Sequence, residues 1–369
     1  MRPSCGAGAL RLAAAALLVF GLLPRPAAAA TVLYKTDAEL IALSERVVLA
    51  RVLGHRFERP ADGGGAIYTV TTLAVLEDRT GVEGDTVVVW ELGGTDGREV
   101  MYVGGQVRYQ PGSEVLVCLG RGRFGLRSVA MGFSKFDIAV EPTADGSLDG
   151  RLLRGLKDTY VVGAAASDRE RSLAEFRALA AAVRGVPSLR HHSAAALTPS
   201  QAVSEAFTLL TFGNGLGARW TEPESNNPVR YYRNSSASAP LTSGNVDTEV
   251  GKALSAWTGR AGAALTLQYA GATYSSDPYA PVSSFGTALI TFEDPHDEIS
   301  NPTLSVGGGM ASVGDGGTVN GTSFNRFTSA FVIFQNAADL PASFRDPVNF
   351  SRVLEHEVGH TIGLGHSAD

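Results

Sequence analysis

The sequence predicts an α+β chain in two parts: a small, mostly-β barrel or sandwich, then a twisted sheet with helices. Three observations predict it. Runs rich in β-branched residues, at 47–52, 67–75, 86–92 and 115–119, are separated by turn signals such as Asp62-Gly63-Gly64-Gly65, Glu83-Gly84-Asp85 and Pro111-Gly112. From Phe207 onward, strand and helix patterns alternate. The last element reads as a helix opening on Asp346-Pro347, a cap residue followed by proline at the first helical position. At 369 residues there is room for two domains, and 44% hydrophobic with 18% charged residues suits globular cores. The formal charge of −6 and the lack of a basic run exclude nucleic acid as a partner.

Taken in order, the chain begins with Arg2 and Arg11, an apolar run over 12–23, and alanines at 27–30. This pattern predicts a secretory signal peptide over 1–30, a mature start near Thr31 and a secreted or periplasmic destination. No other stretch is long and apolar enough for a membrane span, so no membrane partner is expected after cleavage. A short helix over 35–45 opens a β-rich domain at 31–155, with a hairpin through 120–125 into 126–129. Of two cysteines, Cys5 leaves with the signal, and Cys118 sits in an apolar strand as a buried thiol. A helical connector, or part of a propeptide, is expected over 156–205, with a helix over 172–184 stopped by Gly185. His191-His192 lies in its polar tail and reads as solvated.

The remaining segment, 206–369, carries the chemistry. Residues 218–220 and 229–232 read as a strand pair, 247–259 as a helix, and 265–269 and 288–292 as strands. Residues 307–317 read as a glycine-rich loop without the Lys-Ser/Thr pair of a phosphate loop. Residues 324–336 form the last strand region. The final helix has a buried stripe of Phe350, Val353, Leu354, Val358, Thr361 and Ile362.

At its end the chain reads His356-Glu357-Val358-Gly359-His360-Thr361-Ile362-Gly363-Leu364-Gly365-His366. On a helix, His356 and His360 project roughly 40° apart and one turn apart, a spacing at which two imidazoles can bind a single ion. Glu357 sits beside such an ion, placed to take a proton from water. Gly363 can leave the helix with φ > 0 and bring His366 back to the same point. Three imidazoles with an open fourth position make a catalytic zinc site, with His356, His360 and His366 as ligands and Glu357 as general base.

This H-E-x-x-H-x-x-G-x-x-H pattern resembles the metzincin metalloproteases, and Ser367 after the third histidine is most similar to the matrixin branch. The β-rich domain loosely resembles an OB- or netrin-type barrel. The metzincin resemblance implies a zinc endopeptidase acting on proteins or peptides. It also implies an edge strand, ahead of the zinc helix, that pairs with extended substrate. Matrixins carry structural calcium as well; here Asp294, His296, Asp297, Glu298 and Asp315 stand either as calcium donors or as solvated loop groups. With His296 alone in that loop, a second, structural zinc is not expected.

Metzincins have a methionine turn beneath the zinc, downstream of the third histidine. Met1, Met101, Met131 and Met310 are not in that place, so the resemblance implies a catalytic unit incomplete at its C-terminus. The other reading is a secreted binding or adhesion protein with an inactive protease region.

Overall fold

The computed structural model describes residues 30–365, except 79, 81–83, 143–147, 156–158, 164–169, 186–208, 213, 236–239, 260–263, 281, 283–285 and 300. Residues 1–29 of the expected signal peptide, His191-His192 and His366 lie outside the described residues. The first elements are β1 (Thr31–Leu33) and α1 (Asp37–Leu43). A capping box sets the helix start: the Glu39 N–H donates to the Thr36 hydroxyl, and the Thr36 N–H donates to the Glu39 carboxylate.

β2 (Arg46–Glu58), β3 (Tyr68–Asp78) and β4 (Thr86–Leu92) form an antiparallel meander. The chain then leaves through β5 (Gly94–Thr95) and β6 (Glu99–Val103) and returns as the hairpin β7 (Glu114–Arg121) and β8 (Leu126–Gly132). β7 pairs with β2, and β8 meets β4 in parallel at Leu126 and Val89, so the order β2-β3-β4-β8-β7 closes a five-stranded barrel. The sandwich alternative is thereby set aside.

The runs of β-branched residues follow from burial on both faces. Val48, Ala50 and Val52 of β2 pack with Leu73, Val89 and Val117. Val47 and Leu49 turn to the opposite face, towards Leu40 and Ile41 of α1 and Cys118. A strand buried on both sides reads as a continuous apolar run rather than an alternation. Cys118 is buried as expected, and burial pushes its thiol up to about 12.

Four strands beyond this hairpin were not legible: β9 (Lys135–Pro142), β10 (Leu148–Arg154), β11 (Tyr160–Val162) and β12 (Glu170–Ser172). β9, β10 and β12 extend the barrel sheet from β7. α2 (Leu173–Arg184) is capped by Ser172 and ended by Gly185 in the left-handed region, as its sequence implies. Leu173, Phe176 and Ala180 pack on Phe136 and Leu152, so this helix covers the barrel rather than serving as a bare connector.

The second unit comprises β13 (Thr211–Phe212), β14 (Leu216–Arg219), β15 (Val229–Asn234), α3 (Val246–Trp257), β16 (Leu267–Thr273), β17 (Thr287–Thr291), β18 (Thr303–Ser312), β19 (Thr318–Val319), β20 (Thr322–Phe334) and α4 (Pro347–Thr361). β16, β15, β17 and β20 run parallel in that spatial order. β18 pairs antiparallel with β20, and β1 and β11 continue the sheet beyond β18. The parallel neighbours β15 and β16 are joined through α3, since parallel strands need a crossover.

Three expectations change here. β14 and β15 do not pair: β14 lies beside β20, and β15 lies between β16 and β17. Residues 307–312 are strand β18, not loop; a Cβ on Gly307 would meet the Glu357 carbonyl oxygen at 2.3 Å, so glycine is what lets α4 lie directly on the strand. β20 is interior to the sheet, so it is not an edge strand.

The sheet separates two cores. Val332 and Phe334 of β20 pack with Phe350, Leu354 and Val358 of α4. Phe331 and Ile333 face the other way, onto Tyr68 and Val70 of β3 and Met101 of β6. The barrel and the mixed sheet therefore share apolar packing. Among the described residues, no helix is long and apolar enough to cross a membrane.

Candidate metal centre

α4 is fixed at both ends and along its length. Asp346 accepts hydrogen bonds from the Val348 and Asn349 N–H groups at 3.0 and 3.2 Å, with Pro347 in the first turn. At the other end the Gly363 N–H donates to His360 O at 3.0 Å and the Leu364 N–H to Gly359 O at 3.1 Å, a Schellman ending. Gly363 has φ +91°, and a Cβ there would meet Ala218 O at 2.5 Å, so glycine is required on two counts. Two indoles hold carbonyls of the same helix: Trp257 Nε1 donates to Glu355 O and Trp220 Nε1 to Thr361 O, both at 2.8 Å. The Thr361 hydroxyl donates to Val358 O, leaving Tyr231 to donate to Thr361 Oγ1 at 2.5 Å.

These restraints bring together His356, Glu357 and His360. Their ligand atoms all lie within 4.8 Å of one another, the one such trio among the described residues. The two imidazole rings are 5.2 Å apart at 77°. His360 is fully buried, and its Nδ1 lies 2.7 Å from Leu364 O. A carbonyl oxygen can only accept, so Nδ1 carries a proton, which leaves Nε2 as the nitrogen that could face a metal. His356 is partly covered; desolvation, with the neighbouring His360 second, holds it well below the ordinary imidazole range. It is therefore neutral and able to ligate near neutral pH.

Glu357 is completely buried. Burial is the main influence on its carboxyl and raises it, against the lowering effects of His360, Ser305 and Thr31. Its Oε1 accepts from the Ser305 hydroxyl at 2.7 Å, the Thr31 hydroxyl at 2.8 Å and the Thr31 N–H at 3.1 Å. Its Oε2 is buried with no hydrogen-bond partner. An unpaired buried oxygen beside two imidazoles fits a site completed by a cation and water, because leaving such an atom unsatisfied is costly.

Sequence reasoning placed His356, Glu357 and His360 together, and the structure gathers them; the third expected ligand, His366, lies outside the described residues. The possible calcium donors do not converge. Glu298 accepts from the Tyr68 hydroxyl, His296 lies 3.2 Å from Asp277, Asp294 caps the Ile299 N–H, and Asp315 is exposed. Thr31, Ser305 and Tyr160 were missed. The Tyr160 ring stacks on His356 with centroids 5.2 Å apart, and Thr31 is 326 residues from the carboxylate it binds. The chain matches no protein-family model, no curated protein and no solved structure.

Proposed function

We propose that the chain is a secreted zinc endopeptidase of matrixin-like, metzincin type. The observation that carries this reading is the trio on α4, in which two imidazoles adjoin a buried carboxylate with one unpartnered oxygen. Two further features support it. β15, α3, β16 and β17 run in a strand, helix, strand, strand order similar to the upper part of a metzincin catalytic domain. The turn at Gly363 takes the chain off the helix where a third ligand must depart from it. The N-terminal signal pattern supports the secreted setting.

His356, His360 and His366 would hold the zinc, which when bound polarises a peptide carbonyl and makes water more acidic. Glu357 takes the proton of the attacking water and later delivers it to the departing amine. Its burial suits that work, since a raised carboxyl is a stronger base than an exposed one. The hydroxyl of Ser305 holds Oε1, which orients the other oxygen. Trp220 and Tyr231 fix the last turn of α4 and so keep His360 in register.

The test is zinc retention. Replacing His356, His360 or His366 by Ala should weaken it by more than about 100-fold, beyond the scale seen when only an outer partner of a ligand is lost. Unchanged zinc content in all three variants would leave the binding-module reading in its place.

A further inference from the structure

We propose that the seam between the barrel and the mixed sheet is an alkali-sensitive joint. It is closed while two acids lining one cavity, Glu91 from the barrel and Glu298 from the mixed sheet, carry protons, and it loosens when they lose them. The inference stands independently of the peptidase reading.

The two units meet at a small polar cavity set in apolar packing. Trp90, Glu91 and Arg127 line it from the barrel, and Glu298, Thr303 and Val306 from the other side. Its volume is about 30 Å³, too small for an organic ligand and enough for about two waters. Around it, Tyr68 and Val70 of β3 pack with Val306, Met310 and Phe331. Glu298 is the main polar tie across this seam. Its carboxylate accepts from the Tyr68 hydroxyl, and its carbonyl accepts from the Arg127 guanidinium of β8. A second tie lies beside it: Arg123, between β7 and β8, has Nη1 2.7 Å from His296 Nδ1 and also donates to Asp62 O. His296 in turn lies 3.2 Å from Asp277 and stacks on Tyr279.

Charge at the cavity is balanced only while the acids are neutral. Burial is the largest influence on Glu91 and on Glu298, and it pushes each up to about 7. At Glu91 the opposing influences are Ser128, then Arg127 and Tyr109. At Glu298 they are Tyr68, then Arg127 and His296, while Asp294 adds to the effect of burial. One guanidinium, that of Arg127, therefore faces both acids. Ionising both sets two carboxylates against one arginine, with room for about two waters to solvate them. Both folded-state values exceed the unfolded 4.5, so closure favours the protonated acids. The stabilisation is fully present below about pH 4.5 and is lost as pH rises through about 7. β1 and β6 remain hydrogen-bonded to β18, so the seam loosens at its cavity without the units parting.

The test is amide exchange on the full chain at about pH 5.5 and about pH 8.5, either side of the acids' transition and corrected for intrinsic exchange. Residues 126–131 and 303–306, at the seam, would be compared with 287–291 in the interior of the mixed sheet. Wild type should lose at least about tenfold more protection at the seam than at 287–291 over this range, well within what two displaced carboxyls supply. Glu91→Gln/Glu298→Gln, whose amides cannot ionise, should keep the same relative protection at both values. Glu298→Gln alone should show a smaller loss than wild type, and it decides the matter should the double variant fail to fold. Equal loss at the seam and at 287–291 in wild type would overturn the inference. So would a Glu298→Gln response indistinguishable from that of wild type.

Discussion

The barrel and the mixed sheet each bury a glutamate, and the two carboxylates have different surroundings. In the barrel, Glu91 of β4 accepts from the Ser128 N–H at 3.0 Å and lies 3.5 Å from the Tyr109 hydroxyl. Burial pushes its carboxyl up to about 7. In the mixed sheet, burial also raises Glu357, but its neighbours are His356 and His360 and one of its oxygens lacks a partner. A perturbed carboxyl therefore does not mark a site by itself. Two imidazoles whose nitrogens lie within 4.8 Å of the carboxylate are what separate a candidate base from an acid buried in a core.

Glu91 gives the largest stability effect by which the comparison can be sharpened. Its folded-state value lies above the unfolded 4.5, so folding favours the protonated acid. Stability from this group is fully present below about pH 4.5 and is lost as pH rises through about 7, about 3 kcal/mol in all. Urea unfolding of wild type and Glu91→Gln at both ends of that window should show the difference narrowing in the variant, with zinc content unchanged. A zinc loss in Glu91→Gln would break the distinction between the two acids.

A smaller effect is expected at the end of α4. Gly363→Ala places a side chain at φ +91° and against Ala218 O, and should cost about 1–3 kcal/mol. Because the Schellman turn sets the path of the chain after His360, zinc retention should fall with stability in this variant. An unchanged melting temperature would show that the turn relaxes without strain.

Legibility in the sequence followed how local each cause is. The start of α4 at Asp346-Pro347, its turn at Gly363 and the two histidines one turn apart depend on neighbours within a few residues, and all were readable. So were the barrel strands, whose β-branched runs reflect burial on both faces. β18 was misread as a loop because Gly307, Gly308 and Gly309 have no side chains to show a strand pattern. Their reason is the close approach of α4 to Gly307, of β6 to Gly308 and of Phe327 and Ser329 of β20 to Gly309, which only the packed chain supplies. The position of β20 inside the sheet, and the partners of β14 and β15, depend on strand order rather than on local pattern. Nothing near Thr31 signals a bond to a glutamate 326 residues away. The trio on the helix could be read; the segments laid across it could not.

The central claim is that Glu357 acts on the proton while the histidines hold the metal. It is tested most directly by comparing wild type, Glu357→Gln and Glu91→Gln for zinc content and peptide turnover. Both variants should keep zinc, and turnover should fall by roughly 10²–10⁴-fold in Glu357→Gln alone, the usual scale for a general base. Near-undiminished turnover in zinc-loaded Glu357→Gln would contradict the account.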